Sequence, residues 1–186
     1  MTKSLAVVTA LFGAALSAAP AFAQATLPAE CQPMLAAGEK QFTVPSHAVL
    51  TTTGMGPAPM SSEVVNIDGT TYVKVMDHWM KSPMRSADLA RQARAKMASG
   101  KTSCTQQADE SVGGVAANVY SSHTDTEHGG TDSQVWVAKS TGLPLRSEIE
   151  MTMSGGKKSH VSVKYDYENV KAPEGVKYFD VVSLIA

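Results

Sequence analysis

The chain has 186 residues, a formal charge of −1, 43% apolar residues and two cysteines. It is neither basic enough to suggest nucleic acid as a partner nor acidic enough to suggest disorder. Its one long apolar run is short for a membrane span of about 20 residues, which argues against an integral membrane protein.

That run belongs to the start of the chain. Lys3 supplies a positive beginning, Leu5 to Leu16 an apolar stretch, and Ala21-Phe22-Ala23 a small-x-small cleavage site. Residues 1–23 therefore read as a bacterial secretory signal peptide, which predicts an exported, periplasmic protein beginning at Gln24. Residues 24–186 suit a single domain with its own core. Glu30, directly before Cys31, argues against lipid attachment at that cysteine. Two cysteines in an exported chain predict a Cys31–Cys104 disulfide. Closing so long a loop contributes roughly 4 kcal/mol in the chain-entropy model.

Cys31 to Lys40 reads as a short helix, with Pro33 in its first turn. Ala48 to Thr53 is a strand, Gly54 to Met60 a loop, and Ser61 to Ile67 the next strand. Asp68-Gly69 is a strong hairpin signal. Thr70 to Trp79 follows as one strand, with Val73, Val75 and Trp79 on one face and Tyr72, Met76 and Met80 on the other, which implies a central strand or one contacted by a helix. Lys81-Ser82-Pro83 ends it. Ser86 is the expected N-cap of a helix over Ala87 to Ser99, in which Leu89, Ala93 and Met97 form a narrow apolar stripe. Gly100 stops that helix.

Thr102 to Glu110 opens a second run of strands. Gly113-Gly114 turns into a strand over Val115 to Ser122, and the polar Thr124 to Thr131 reads as a loop. Ser133 to Lys139 is a strand. From Leu143 the odd positions Leu143, Leu145, Ile149, Met151 and Met153 alternate with Arg146, Glu148, Glu150 and Thr152. After Ser154-Gly155-Gly156, Val161, Val163, Tyr165 and Tyr167 alternate with His160, Ser162, Lys164 and Asp166. A period of two with one apolar and one charged face marks half-buried antiparallel strands. Val176 to Leu184 reads as a last short strand. Helix, strands, helix, strands gives an α+β domain with an antiparallel sheet whose apolar face the two helices cover.

Chemistry-bearing residues are few. His123, Asp125, Glu127 and His128 have ligating side chains but read as a solvated loop, so no metal and no cofactor are expected. Met76, Met80 and Met84, with Met151 and Met153, raise Cu(I) binding as an alternative, because thioethers are soft ligands. Packing is the competing use of methionine. Asp77 and His78 are strand neighbours and point apart. Glu148 and Glu150 share a wet face, whereas a glycosidase pair needs a cleft. With no Gly-x-Ser-x-Gly elbow and no phosphate loop, no enzyme is expected.

Trp136-Val137-Ala138-Lys139-Ser140-Thr141-Gly142-Leu143-Pro144-Leu145-Arg146-Ser147-Glu148 resembles a hairpin of exported bacterial proteins with the lipoprotein-carrier (LolA/LolB-like) fold. Tyr165-Asp166-Tyr167-Glu168-Asn169-Val170 is similar to the aromatic strand that follows it there. Glu110 through Tyr120 is similar to a Glu-Ser-Val-x-Gly-Val-x-Ala-x-Val-Tyr pattern of small uncharacterised members. The resemblance covers residues 104 to 173. It implies an unclosed half-barrel with helices over an apolar concave face, and binding of an acyl chain or another apolar ligand without catalysis. Leu143, Leu145, Ile149, Met151, Met153, Val161, Val163 and Tyr165 are then the expected cavity lining. Only Phe42 and Phe179 remain beyond residue 23, so the concave face is less aromatic than the family's pattern. A lipid carrier is the first expectation. An envelope interaction protein with a dry core and a protein partner is the second.

Overall fold

The computed structural model describes residues 27–99, 101–126, 129–153 and 155–177. A 3-10 turn at Ala29–Cys31 leads into α1, Gln32–Gln41, which buries Leu35, Ala37 and Gln41. Four strands follow: β1 Ser46–Thr53, β2 Met60–Ile67, β3 Thr70–Val75 and β4 His78–Arg85. Helix α2, Ser86–Ser99, comes next. The chain then forms β5 Lys101–Gln106, β6 Glu110–Val112, β7 Val115–Thr126, β8 Gly129–Ala138, β9 Pro144–Met153 and β10 Lys158–Asp166.

Asp68 and Gly69 turn β2 into β3 with φ of 51° and 70°, a backbone twist that matches the flanking strands. The single strand expected over Thr70 to Trp79 is instead a second hairpin. Met76 and Asp77 take φ of 45° and 63°, and β4 folds back with Val73 opposite Met80 and Lys74 opposite Trp79. Met80 thus shares a face with Val73, and Trp79 does not. Methionine rarely takes a left-handed backbone, so composition hides this turn. Pro83 lies within β4 rather than ending it, which is tolerated in an edge strand.

The loop expected over Thr124 to Thr131 is the end of a long β7–β8 hairpin, with Thr124 opposite Thr131 and Asp125 opposite Gly130. Polar partners on both strands removed the alternation that would have marked it. The strand expected over Val176 to Leu184 lies mostly outside the described residues; Lys177 makes a parallel bridge to Met80.

The sheet order is β4-β3-β2-β1-β10-β9-β8-β7-β5, with β6 also on β7. The two outer strands of that path, β4 and β5, are joined by α2 alone. Laid flat, nine strands at ~4.8 Å spacing would put them ~38 Å apart, whereas a 14-residue helix is only ~21 Å long. The sheet must therefore curl, and α2 is the chord of the curve. The result is an unclosed antiparallel half-barrel.

Register fixes where the chord runs. Its start lies beside the ends of β2 and β3: the Ser86 hydroxyl, expected as a cap, is 3.1 Å from that of Thr71 and 3.4 Å from Asn66 Oδ1. Its far end leads into Lys101, which pairs with Asp125 near the opposite end of the sheet. Helix α2 thus crosses diagonally. Helix α1 fills one remaining corner, where Ala37 packs with Tyr120 and Val137. The Cys31–Cys104 disulfide, with a Cα–Cα distance of 5.1 Å, fastens that cover to β5.

Candidate functional site

Residues directly opposite one another in an antiparallel ladder lie on one face of the sheet. Tyr120, Val135, Ser147, Val163, Leu50 and Ser62 form one such row across six strands. Ser122, Ser133, Ile149, Val161, Thr52 and Met60 form the next. Tyr165, Ala48, Val64, Val73 and Met80 lie in a third. Tyr120 and Val137 carry α1, so this is the concave face.

Of the expected lining, Ile149, Met151, Met153, Val161, Val163 and Tyr165 share this face. Leu143 is buried in the turn before β9. Leu145 is a correction. The ladder shifts between Trp136 and Val137, which face Arg146 and Pro144, so Leu145 is the extra residue of a bulge. It packs on the opposite side, against the Trp136, Ala117 and Val119 cluster. A strict period of two cannot reveal an inserted residue. Leu50, Val64, Val73 and Met80 share the concave face without having been assigned to it from the sequence; the pairings of β1, β2 and β3 place the first three, and the Met76–Asp77 turn places Met80.

The concave face is graded. At one end Ser46, Asn66, Thr71 and Ser86 are fully buried. Thr71 Oγ1 donates to Asn66 Oδ1 at 2.7 Å, and Asn66 Nδ2 donates to Ser46 Oγ at 3.4 Å. Val163 is buried, whereas Leu50, Val64, Val73, Met80, Ile149, Met151 and Val161 are half-buried. Met60 and Met153, at the far end, are 52% and 39% exposed. Above them, Leu89 and Met97 of α2 are half-buried and Ala93 is exposed. Tyr165 lies within reach of Ser147, hydroxyl to hydroxyl at 3.4 Å, and burial pushes its phenol upward against that contact. Burial also raises the Tyr167 phenol, with Tyr165 adding to it, and its hydroxyl donates to the Pro144 carbonyl at 2.6 Å. These groups stay neutral and supply hydrogen bonds, not acid–base chemistry.

The opposite face is polar. A depression of roughly 370 Å³ is lined there by His123, Asp132, Gln134, Glu148, Glu150 and His160, with Ser103, Thr105 and Ser121. His123, Asp132, Glu150 and His160 are consecutive partners across four strands. Yet their groups are spent on one another. His123 Nδ1 lies 2.6 Å from Asp132 and its Nε2 3.2 Å from Asp125. His160 donates to Glu148 at 2.7 Å, and Ser162 and Arg146 donate to the same carboxylate at 2.9 and 2.6 Å. Among the described residues, no three or more His, Cys, Asp or Glu side chains are grouped to hold a metal. His128 and Glu127 lie outside those residues. The methionines weighed for Cu(I) spread over two regions: Met76 is 89% exposed in its turn, Met80 and Met84 are on β4, and Met151 and Met153 are on β9.

No family model matches the chain, and no curated protein matches it. Among solved structures it is similar to LprF from Mycobacterium bovis, with 14% identity, 81% of this chain and 99% of that chain covered, and a TM-score of 0.47. It is similar to a chain of the Pseudomonas aeruginosa MucA/MucB complex, at 16% identity and a TM-score of 0.45, over 79% of this chain but only 60% of that one. It is similar to a LolA superfamily protein from Nitrosomonas europaea at 11% identity, over 75% and 92% of the two chains, with a TM-score of 0.31. The open half-barrel itself is read from the chain's own strand order.

Proposed function

We propose that this chain is an exported, non-enzymatic binding or carrier protein. Its ligand is a lipid-like or other apolar molecule held between the concave face and α2. Residues 1–23 are then removed on export, leaving a periplasmic protein that starts at Gln24.

One observation carries the reading. Ile149, Met151, Val161, Leu50, Val64 and Val73 share a face that a helix crosses, yet every one is only half-buried. A dry core at ordinary packing density would close over such side chains. An apolar surface that is roofed but not filled suits an apolar ligand, with methionine adapting to its shape.

Native mass spectrometry on gently purified protein, followed by lipid extraction, is the test. Co-purified lipid, or saturable uptake of an apolar fluorescent probe, is expected. An empty protein that takes up no probe overturns the reading, and a stoichiometric protein partner in its place favours the envelope interaction role. Copper in elemental analysis would favour the methionine sites.

A further inference from the structure

Most of the exposed large apolar side chains of the described residues gather at one end of the sheet. Met55 lies in the β1–β2 connection, Met60 begins β2, Val75 ends β3, Met76 makes the β3–β4 turn and Met153 ends β9. The antiparallel order brings all five to the same end, across the adjacent strands β3-β2-β1-β10-β9. They are 60%, 52%, 44%, 89% and 39% exposed. This is the end where the concave face stands open, because α2 starts at the opposite end of β4 and has not yet crossed it.

Met76 is the most telling of the five. It occupies a left-handed turn position where asparagine or glycine is the ordinary residue. The side chain neither helps the turn nor packs on the protein. Gly54 shows how close the tips stand: its φ is 82°, and a Cβ there would sit 2.4 Å from the Lys158 carbonyl oxygen. The start of β10 therefore stands beside the methionine tips, with Lys157 exposed there and Lys158 Nζ turned to Glu150.

We infer that this methionine rim docks on a phospholipid surface. Separate hairpin tips carrying unbranched, flexible side chains suit a surface without fixed shape, whereas a protein partner or a second copy rewards one packed patch. Lys157, exposed beside the tips, suits its phosphates, while Lys158 is held by Glu150. The rim is continuous with the open end of the concave face, so a docked molecule would present its groove to the bilayer with the buried polar end pointing away. The use made of docking rests on the carrier reading; docking itself is tested apart from it.

Flotation of the exported protein with vesicles of phosphatidylethanolamine and phosphatidylglycerol is the experiment. Wild type should float with the vesicles. The double variant Met55→Ser, Met76→Asn should weaken vesicle affinity by about a hundredfold, the size expected from withdrawing two apolar side chains from lipid. Its thermal midpoint should be equal or higher, because asparagine suits the turn better. Val115→Ser, an exposed apolar position at the other end of the sheet, should float as wild type does. Wild type that stays unbound at lipid excess overturns the inference, as does a double variant that floats equally well. A dimer in sedimentation that the double variant dissolves would assign the rim to a second copy and overturn it too. Vesicle binding without apolar-probe uptake would sink the carrier reading and leave the rim standing.

Discussion

Cys31 and Cys104 close a disulfide that ties the start of α1 to the edge strand β5, across a sequence separation of 73 residues. The bridge holds one roof element of the half-barrel onto the sheet. Cys104→Ser should lower stability by about 2–5 kcal/mol, the usual range for such a bond in an exported domain. The oxidised native protein should titrate no thiol; two reactive thiols without reductant would contradict the bond.

Asn66 gathers a buried polar knot at the closed end of the concave face, accepting from Thr71 and Ser86 and donating to Ser46. Asn66→Ala strands hydroxyls that cannot reach water, at a cost of about 1–3 kcal/mol. Thr71→Ser keeps the hydroxyl and should cost distinctly less. Urea denaturation of the two variants compares them directly, and equal losses would mean that packing, not the knot, matters there.

Two groups on the polar face respond to pH in opposite senses. The carboxylates of Asp132 and Asp125 raise the His123 imidazole above its ordinary 6.5. Its stabilising contribution is therefore full below pH 6.5 and disappears as pH rises through the higher folded value. Burial pushes the Glu148 carboxyl up, but hydrogen bonds from Arg146, Ser162 and His160 outweigh it, so the net value lies below the ordinary 4.5. That contribution is present above pH 4.5 and is lost as pH falls through the folded value. NMR titration should place His123 above and Glu148 below their unfolded values, and Asp132→Asn should bring His123 back down.

Ile149 and Met151 separate a roofed groove from a dry core. In a dry core Ile149→Ala costs about 2–5 kcal/mol, and in a groove it should cost less and change probe affinity instead. Met151→Trp should fold normally and block the probe. If it unfolds the protein, and wild type takes up no probe, the groove is a packed core.

Gly54 allows the β1–β2 loop to pass against β10. Gly54→Ala forces a Cβ onto the Lys158 carbonyl in a left-handed backbone. A loss of about 1–3 kcal/mol is expected, as for other strained backbone positions. Melting at the wild-type temperature would show that the loop simply moves away.

Local rules were enough for much of this chain. The alternation from Ile149 to Met153 and from Val161 to Tyr165 names the concave face, because strand side chains alternate whatever the strand packs against. Asp68-Gly69 names its own turn. The two cysteines name their bond because there is no second pairing within the chain. Other features depend on partners distant in sequence. Leu145 changes face because β8 and β9 lose register beside Trp136. Met76–Asp77 turns because β4 has an edge to complete, against methionine's own backbone preference. The passage of α2 across the concave face depends on β4 and β5 lying at opposite edges of one sheet, a consequence of pairing order that no window of residues contains. The sequence by itself determined the strands and most of their facing, since these follow from side-chain period and turn chemistry. The curl, the roof and the open methionine rim were decided by tertiary structure, since a chord too short for a flat sheet is a property of the closed arrangement alone.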